Sequence, residues 1–90
     1  MLPAMTQPAP EDYSDDELLA MLKPAQQAEL DRQIGEMFGA EGVDRAEALF
    51  AMASVYSLRA GERDEVSALA MLQLAAAMRR RAEQMIAARN

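Results

Sequence analysis

The chain has ninety residues, no cysteine and no histidine, and its fifteen acids against nine bases leave a net charge of −6. These absences exclude disulfides, thiolate metal sites, thiol catalysis and the commonest general base, so composition predicts a non-enzyme without cofactor or metal. The charge disfavours nucleic acid and anionic membrane surfaces and suits basic protein partners, and the length allows one domain with a thin core.

Charge is unevenly spread. Residues 1–47 carry eleven acids against Lys23, Arg32 and Arg45, and residues 48–90 carry four acids against six arginines, which gives −8 and +2. Pro3, Pro8 and Pro10 punctuate a start with no apolar period. This predicts an extended or disordered leader over 1–13, with Leu2 and Tyr13 its only anchors, and a single helical domain over 14–90. No basic start with an apolar run and no stretch of about twenty apolar residues is present, so the expected location is cytoplasmic.

Ser14-Asp15-Asp16-Glu17 is a capping box, and three acids in the first turn complement the helix dipole. Leu18, Leu19, Met21 and Leu22 form an apolar patch two turns long before Pro24 stops the helix. So short a helix must dock on something. Pro24 can also open the next helix, predicted over 24–38, where Leu30, Ile34, Met37 and Phe38 share one face. Gly35 inside it marks a close helix–helix approach.

Asp44 and Glu47 repeat the capping pattern and start a third helix. Its stripe is Leu49, Met52, Ala53, Tyr56 and Ala60, flanked by Phe50 and Val55. Gly61 stands where a left-handed residue would end it. Asp64 caps the last helix, which runs unbroken to Arg89 for about 39 Å against about 25 Å for its partner 44–60. Between Ala68 and Met78 only Gln73 is polar, and a helix apolar nearly all round is buried on several sides. Three short neighbours leave part of that surface over, which points to a second chain.

Residues 46–56 (AEALFAMASVY), then Gly61 and Asp64-Glu65-Val66, resemble one tetratricopeptide-type repeat. Leu49 stands at the large aromatic position, Met52-Ala53 at the Leu-Gly pair and Tyr56 at the tyrosine. Gly61 comes one residue late, Val66 replaces the small residue of the second helix, and no proline closes the unit. A lone repeat cannot bury its own face; about three are normally needed. In size, charge and helix content the chain is also similar to the small acidic helical chaperones of bacterial secretion systems.

The fold expected is therefore all-α, a small bundle of about four helices built on a C-terminal antiparallel hairpin. Met21, Met37, Met52, Met71, Met78 and Met85 fall in the helical segments, and methionine adapts to varied partners. The function expected is a non-enzymatic interaction module, an adaptor or small chaperone, that holds an apolar segment of a partner on Leu69, Leu72, Met78, Met85 and Ile86. The alternatives are an obligate homodimer without a client site and a regulatory subunit of a larger enzyme. Arg79-Arg80-Arg81 spreads around the helix and is expected to pair with Glu83 or with the acidic first helix. The acids at 11, 12 and 15–17 read as a leader and a cap ahead of any cation site.

Overall fold

A computed structural model describes residues 10–39 and 46–89. Among the described residues stand four α-helices, α1 (Asp15–Ala20), α2 (Pro24–Gly39), α3 (Ala46–Ala60) and α4 (Glu65–Arg89), with one 3-10 turn at Pro10–Asp12 and no strand. The protein is an all-α helical bundle founded on the antiparallel α3–α4 hairpin. α4 is its centre. α3 packs along it most extensively, α1, α2 and the 3-10 turn also pack on it, and no other pair of elements shares a comparable surface.

Local chemistry explains the boundaries. Ser14 Oγ accepts the Glu17 N–H at 3.1 Å while Glu17 Oε1 accepts the Ser14 N–H at 2.8 Å, closing the capping box. α1 already ends at Ala20; the Leu22 N–H closes on Leu19 O at 3.1 Å, and side chains from elsewhere add bonds around its end. Gln27 Nε2 donates to Leu19 O at 2.8 Å and to Leu22 O at 3.2 Å, and Gln73 Nε2 donates to Leu18 O at 3.3 Å. Pro24 is the first residue of α2, and Gln26 Oε1 accepts the Lys23 N–H just ahead of it at 2.8 Å. Asp64 Oδ1 accepts the Ser67 N–H at 2.8 Å and caps α4. Asp44, the expected cap of α3, lies outside the described residues.

Two glycines differ from expectation. Gly61 does not adopt the left-handed conformation predicted for it. Instead the Glu62 N–H donates to Arg59 O at 3.0 Å and the Arg63 N–H to Ala60 O at 3.1 Å, so α3 runs on as a tightened turn of i→i−3 bonds. At Gly35 the space goes to a side chain rather than to a neighbouring backbone: a Cβ there would stand 3.4 Å from Arg81 Nη2.

The core joins Leu18 and Leu19 of α1, Ile34 of α2, Ala46, Leu49, Ala53 and Ala60 of α3, and a long set from α4. In α4 the four consecutive residues Ala75, Ala76, Ala77 and Met78 are all buried, which requires cover on every side. That cover comes from this chain's own helices, so these four residues need no second chain, whereas in the same apolar run Leu69, Met71 and Leu74 are half-buried and Ala70 is exposed. α4 is about 37 Å long against about 22 Å for α3, and this surplus is what leaves room for the other two helices.

The apolar stripes hold in part. Ile34 is buried and Leu30 half-buried, but Met37 on the same predicted face is exposed, and the side chain of Phe38 lies outside the described residues. On α3, Met52, Tyr56 and Phe50 pack against the core while Val55 faces solvent. Tyr13 also packs against the core, immediately after the 3-10 turn.

Candidate functional site

The arginine triplet of α4 fastens the other helices. Arg79 forms a bidentate pair with Asp15 of α1, Nε donating to Oδ2 at 2.7 Å and Nη2 to Oδ1 at 2.6 Å, and its Nη1 donates to Ser57 Oγ of α3 at 3.3 Å. Arg80 Nη2 donates to Asp16 Oδ1 at 2.6 Å, and Arg81 Nη1 reaches Asp31 O of α2 at 3.5 Å. Successive helical residues point about 100° apart, so three adjacent arginines reach three different neighbours. The Asp15 carboxylate, chiefly through its hydrogen bonds, holds the Arg79 guanidinium above its ordinary value against the opposing effect of partial burial. The expected pairing with the acidic first helix is therefore present.

These bonds also give directions. Arg79 meets Asp15 and Gln73 meets Leu18, so α1 runs antiparallel to α4. Arg81 lies beside Gly35, while Leu22 and Ala25 share one groove with Ala70 and Gln73, so α2 runs parallel to it.

That groove is a surface concavity. It is an open, mostly apolar trough of about 390 Å³ between the first half of α2 and α4, lined by Leu22, Ala25, Leu30 and Ala70 with Gln26, Glu29 and Gln73 at the rim. Gln73 also touches Met21 Sδ at 3.9 Å, so the trough begins where α1 ends. Glu29 is held by Arg32, its hydrogen bonds to that guanidinium bringing the carboxyl down to about 2, and Arg32 also pairs with Glu36.

The five residues expected to bind a partner divide. Met78 is wholly buried and Leu72 nearly so; both are core residues covered by this chain itself. Leu69 and Met85 are half-buried against the core, and Ile86 is exposed. The structure does not bring them together as one open face. The groove residues were missed because alanine and glutamine carry little signal in an apolar count. The trace they left was Gln73, the single polar residue in the 68–78 run, whose amide ties α1 to the rim of the groove. A second set of exposed apolar side chains, Leu58 at 78% and Val66 at 81% exposure, sits near the hairpin turn.

Each acid of the first turn has its own partner: Asp15 with Arg79, Asp16 with Arg80, and Glu17 with Ser14. The bond from the Ser14 N–H holds the Glu17 carboxyl below its ordinary value, and the Ser67 N–H does the same for Asp64. Among the described residues no cluster of acids is arranged to hold a metal ion, and no helix is long and apolar enough to cross a membrane. No known family, curated protein or solved structure matches this chain.

Proposed function

We propose that the chain is a non-enzymatic interaction module, of the adaptor or small-chaperone kind, whose α2–α4 groove holds an apolar segment of a partner protein. The observation that carries this reading is the trough itself, with Leu22, Ala25, Leu30 and Ala70 on its walls and uncharged amides and one carboxylate at its rim. A trough of about 390 Å³ suits one or two large apolar side chains presented by a helix or an extended strand. The net charge of −6 favours a segment flanked by basic residues. Relative to the face expected from sequence, the surface has moved from Leu72 and Met78 to the other side of α4.

The test is a photo-crosslinking side chain at Ala25, which is exposed and lines the groove, in the full chain expressed in its cells. A discrete covalent adduct with one protein is expected, lost when Ala70→Glu places a charge in the trough. Ala70 is exposed on a helix, so this substitution leaves the fold intact. A folded monomer without any adduct would sink the proposal. A second reading, a homodimer, draws on Leu58 and Val66 near the hairpin turn. Light scattering that returns twice the chain mass, unchanged in Ala70→Glu and abolished in Leu58→Glu, would favour it.

A further inference from the structure

α3 carries two apolar seams. Ala46, Leu49, Ala53, Tyr56 and Ala60, spaced alternately three and four residues apart, pack into the core. Ala48, Ala51, Val55 and Leu58 repeat that spacing on the opposite side of the helix. There Ala48 is half-buried, while Ala51, Val55 and Leu58 are exposed. A solvated helix face ordinarily carries charge, and the exposed side of α2 does so with Glu29, Asp31, Arg32 and Glu36. On α3 the residues from 48 to 58 include no charged side chain. The outer seam thus has the composition and the period of a second helix–helix contact.

We propose that a second copy of this chain docks on the outer seam, with the two α3 helices antiparallel about a two-fold axis. This inference rests on the homodimer reading and fixes its surface and register. The occupant is read from the sizes of the side chains. In a two-fold contact residue i meets j while j meets i, and here both Ala48 with Leu58 and Ala51 with Val55 are centred on residue 53. One axis therefore sets each large side chain of one copy against an alanine of the other. A parallel pairing would instead stack Leu58 on Leu58 and leave the alanines facing one another across a gap. Charge favours the same choice. Glu47 opens the helix, and Arg59 and Arg63 stand against Glu62 at its end, so antiparallel copies lay an acidic start beside a net basic end. Opposed helix dipoles act in the same direction. A contact along one helix of fifteen residues is smaller than a standard interface, so the association is weak and concentration-dependent. No α3 residue lines the α2–α4 groove, which stays open on both copies.

Sedimentation of the full chain from roughly 10 μM to 1 mM should show the mass rising toward that of two chains. Leu58→Glu is expected to move this rise at least about tenfold higher in concentration, and Val66→Glu to leave it in place. Both side chains are largely exposed in the single chain, so neither change disturbs folding. Register is read with single cysteines, which the chain otherwise lacks. Under a mild oxidant, Ala48→Cys mixed with Leu58→Cys should join at least about tenfold faster than Leu58→Cys alone. In the proposed register the two Leu58 positions lie about 15 Å apart along the axis, beyond the reach of a disulfide. Leu58→Cys joining itself as fast as the mixture, or a dimer abolished by Val66→Glu, overturns this inference and leaves a homodimer of another geometry. A chain that stays monomeric over the whole range overturns the homodimer reading with it.

Discussion

α3 and α1 both lie antiparallel on α4, and they are held there by different means. α3 brings fifteen residues, with the small Ala46, Ala53 and Ala60 letting the two helices approach and Leu49 filling the space between. α1 brings six residues, two of them buried, and is pinned at both ends by directed bonds from Arg79, Arg80, Gln73 and Gln27. A long helix spreads its ordering cost over a large apolar area. A short one has spent most of its nucleation cost before it gains any area, so it relies on ion pairs and on capping of carbonyls that would otherwise stay open.

The largest effects should separate the two helices by cooperativity. Leu49→Ala, wholly buried at the α3–α4 contact, is expected to cost roughly 2–5 kcal/mol, read as a lower urea midpoint with an unchanged slope. Leu19→Ala alone should also cost a few kcal/mol by the same cavity argument, yet adding Leu18→Ala should cost much less than the sum, because the loss saturates once α1 has detached. Full additivity in the double variant would make α1 as integral to the fold as α3.

The ion pairs come next. In a double-mutant cycle Arg79 and Asp15 should couple by about 1 kcal/mol, since the pair is bidentate and partly buried, and Arg80 and Asp16 by under about 0.5 kcal/mol. In 1 M salt the second coupling should vanish while part of the first survives. The reverse order would mean that geometry matters less here than simple proximity. At the hairpin turn, Gly61→Ala should raise stability by about 0.4–1 kcal/mol. Its backbone is not left-handed, the added Cβ meets only Leu58 O at 3.6 Å, and alanine restricts the unfolded chain. A loss of stability would restore the left-handed turn that the sequence suggested.

The helices, the caps at Ser14 and Asp64 and the start at Pro24 were legible because they rest on local rules of spacing and side-chain reach. Pairing of Arg79 and Arg80 with α1 was legible from charge alone. What the sequence could not disclose was distribution around α4. The apolar run from Ala68 to Met78 reads the same whether a second chain or the chain's own α1 and α2 cover it. Gly61 was misread because a glycine at a helix end usually signals a left-handed residue, whereas here the chain continues to tighten. The groove escaped notice because its walls draw on α2, α4 and Leu22 in the link between α1 and α2, each contributing one or two small or medium side chains.

Acid should loosen the two caps in sequence, and this is the finest way to set α1 against the hairpin. The Glu17 carboxyl lies below its ordinary value of 4.5 in the folded chain, and the Asp64 carboxyl below its ordinary value of 3.8. A depressed folded value means that the unfolded chain takes up the proton first. Each cap thus contributes its full stability above the ordinary value and loses it as the pH falls through the folded one. The melting temperature is therefore expected to be insensitive to these two caps above about pH 5, with the Glu17 contribution starting to decline below 4.5 and that of Asp64 only below 3.8. Glu29, brought down to about 2 by Arg32, adds to the same decline, so the caps must be separated residue by residue. Following the Ser14 and Ser67 amides by NMR does this, because each N–H is the donor to one of the two carboxylates. Glu17→Gln keeps a side-chain acceptor and removes the titration, so it should flatten the upper part of the decline and leave the Ser67 profile unchanged. A Ser14 or Ser67 amide that moves at or above the ordinary value of its carboxylate would mean that the cap bond adds nothing to stability at neutral pH.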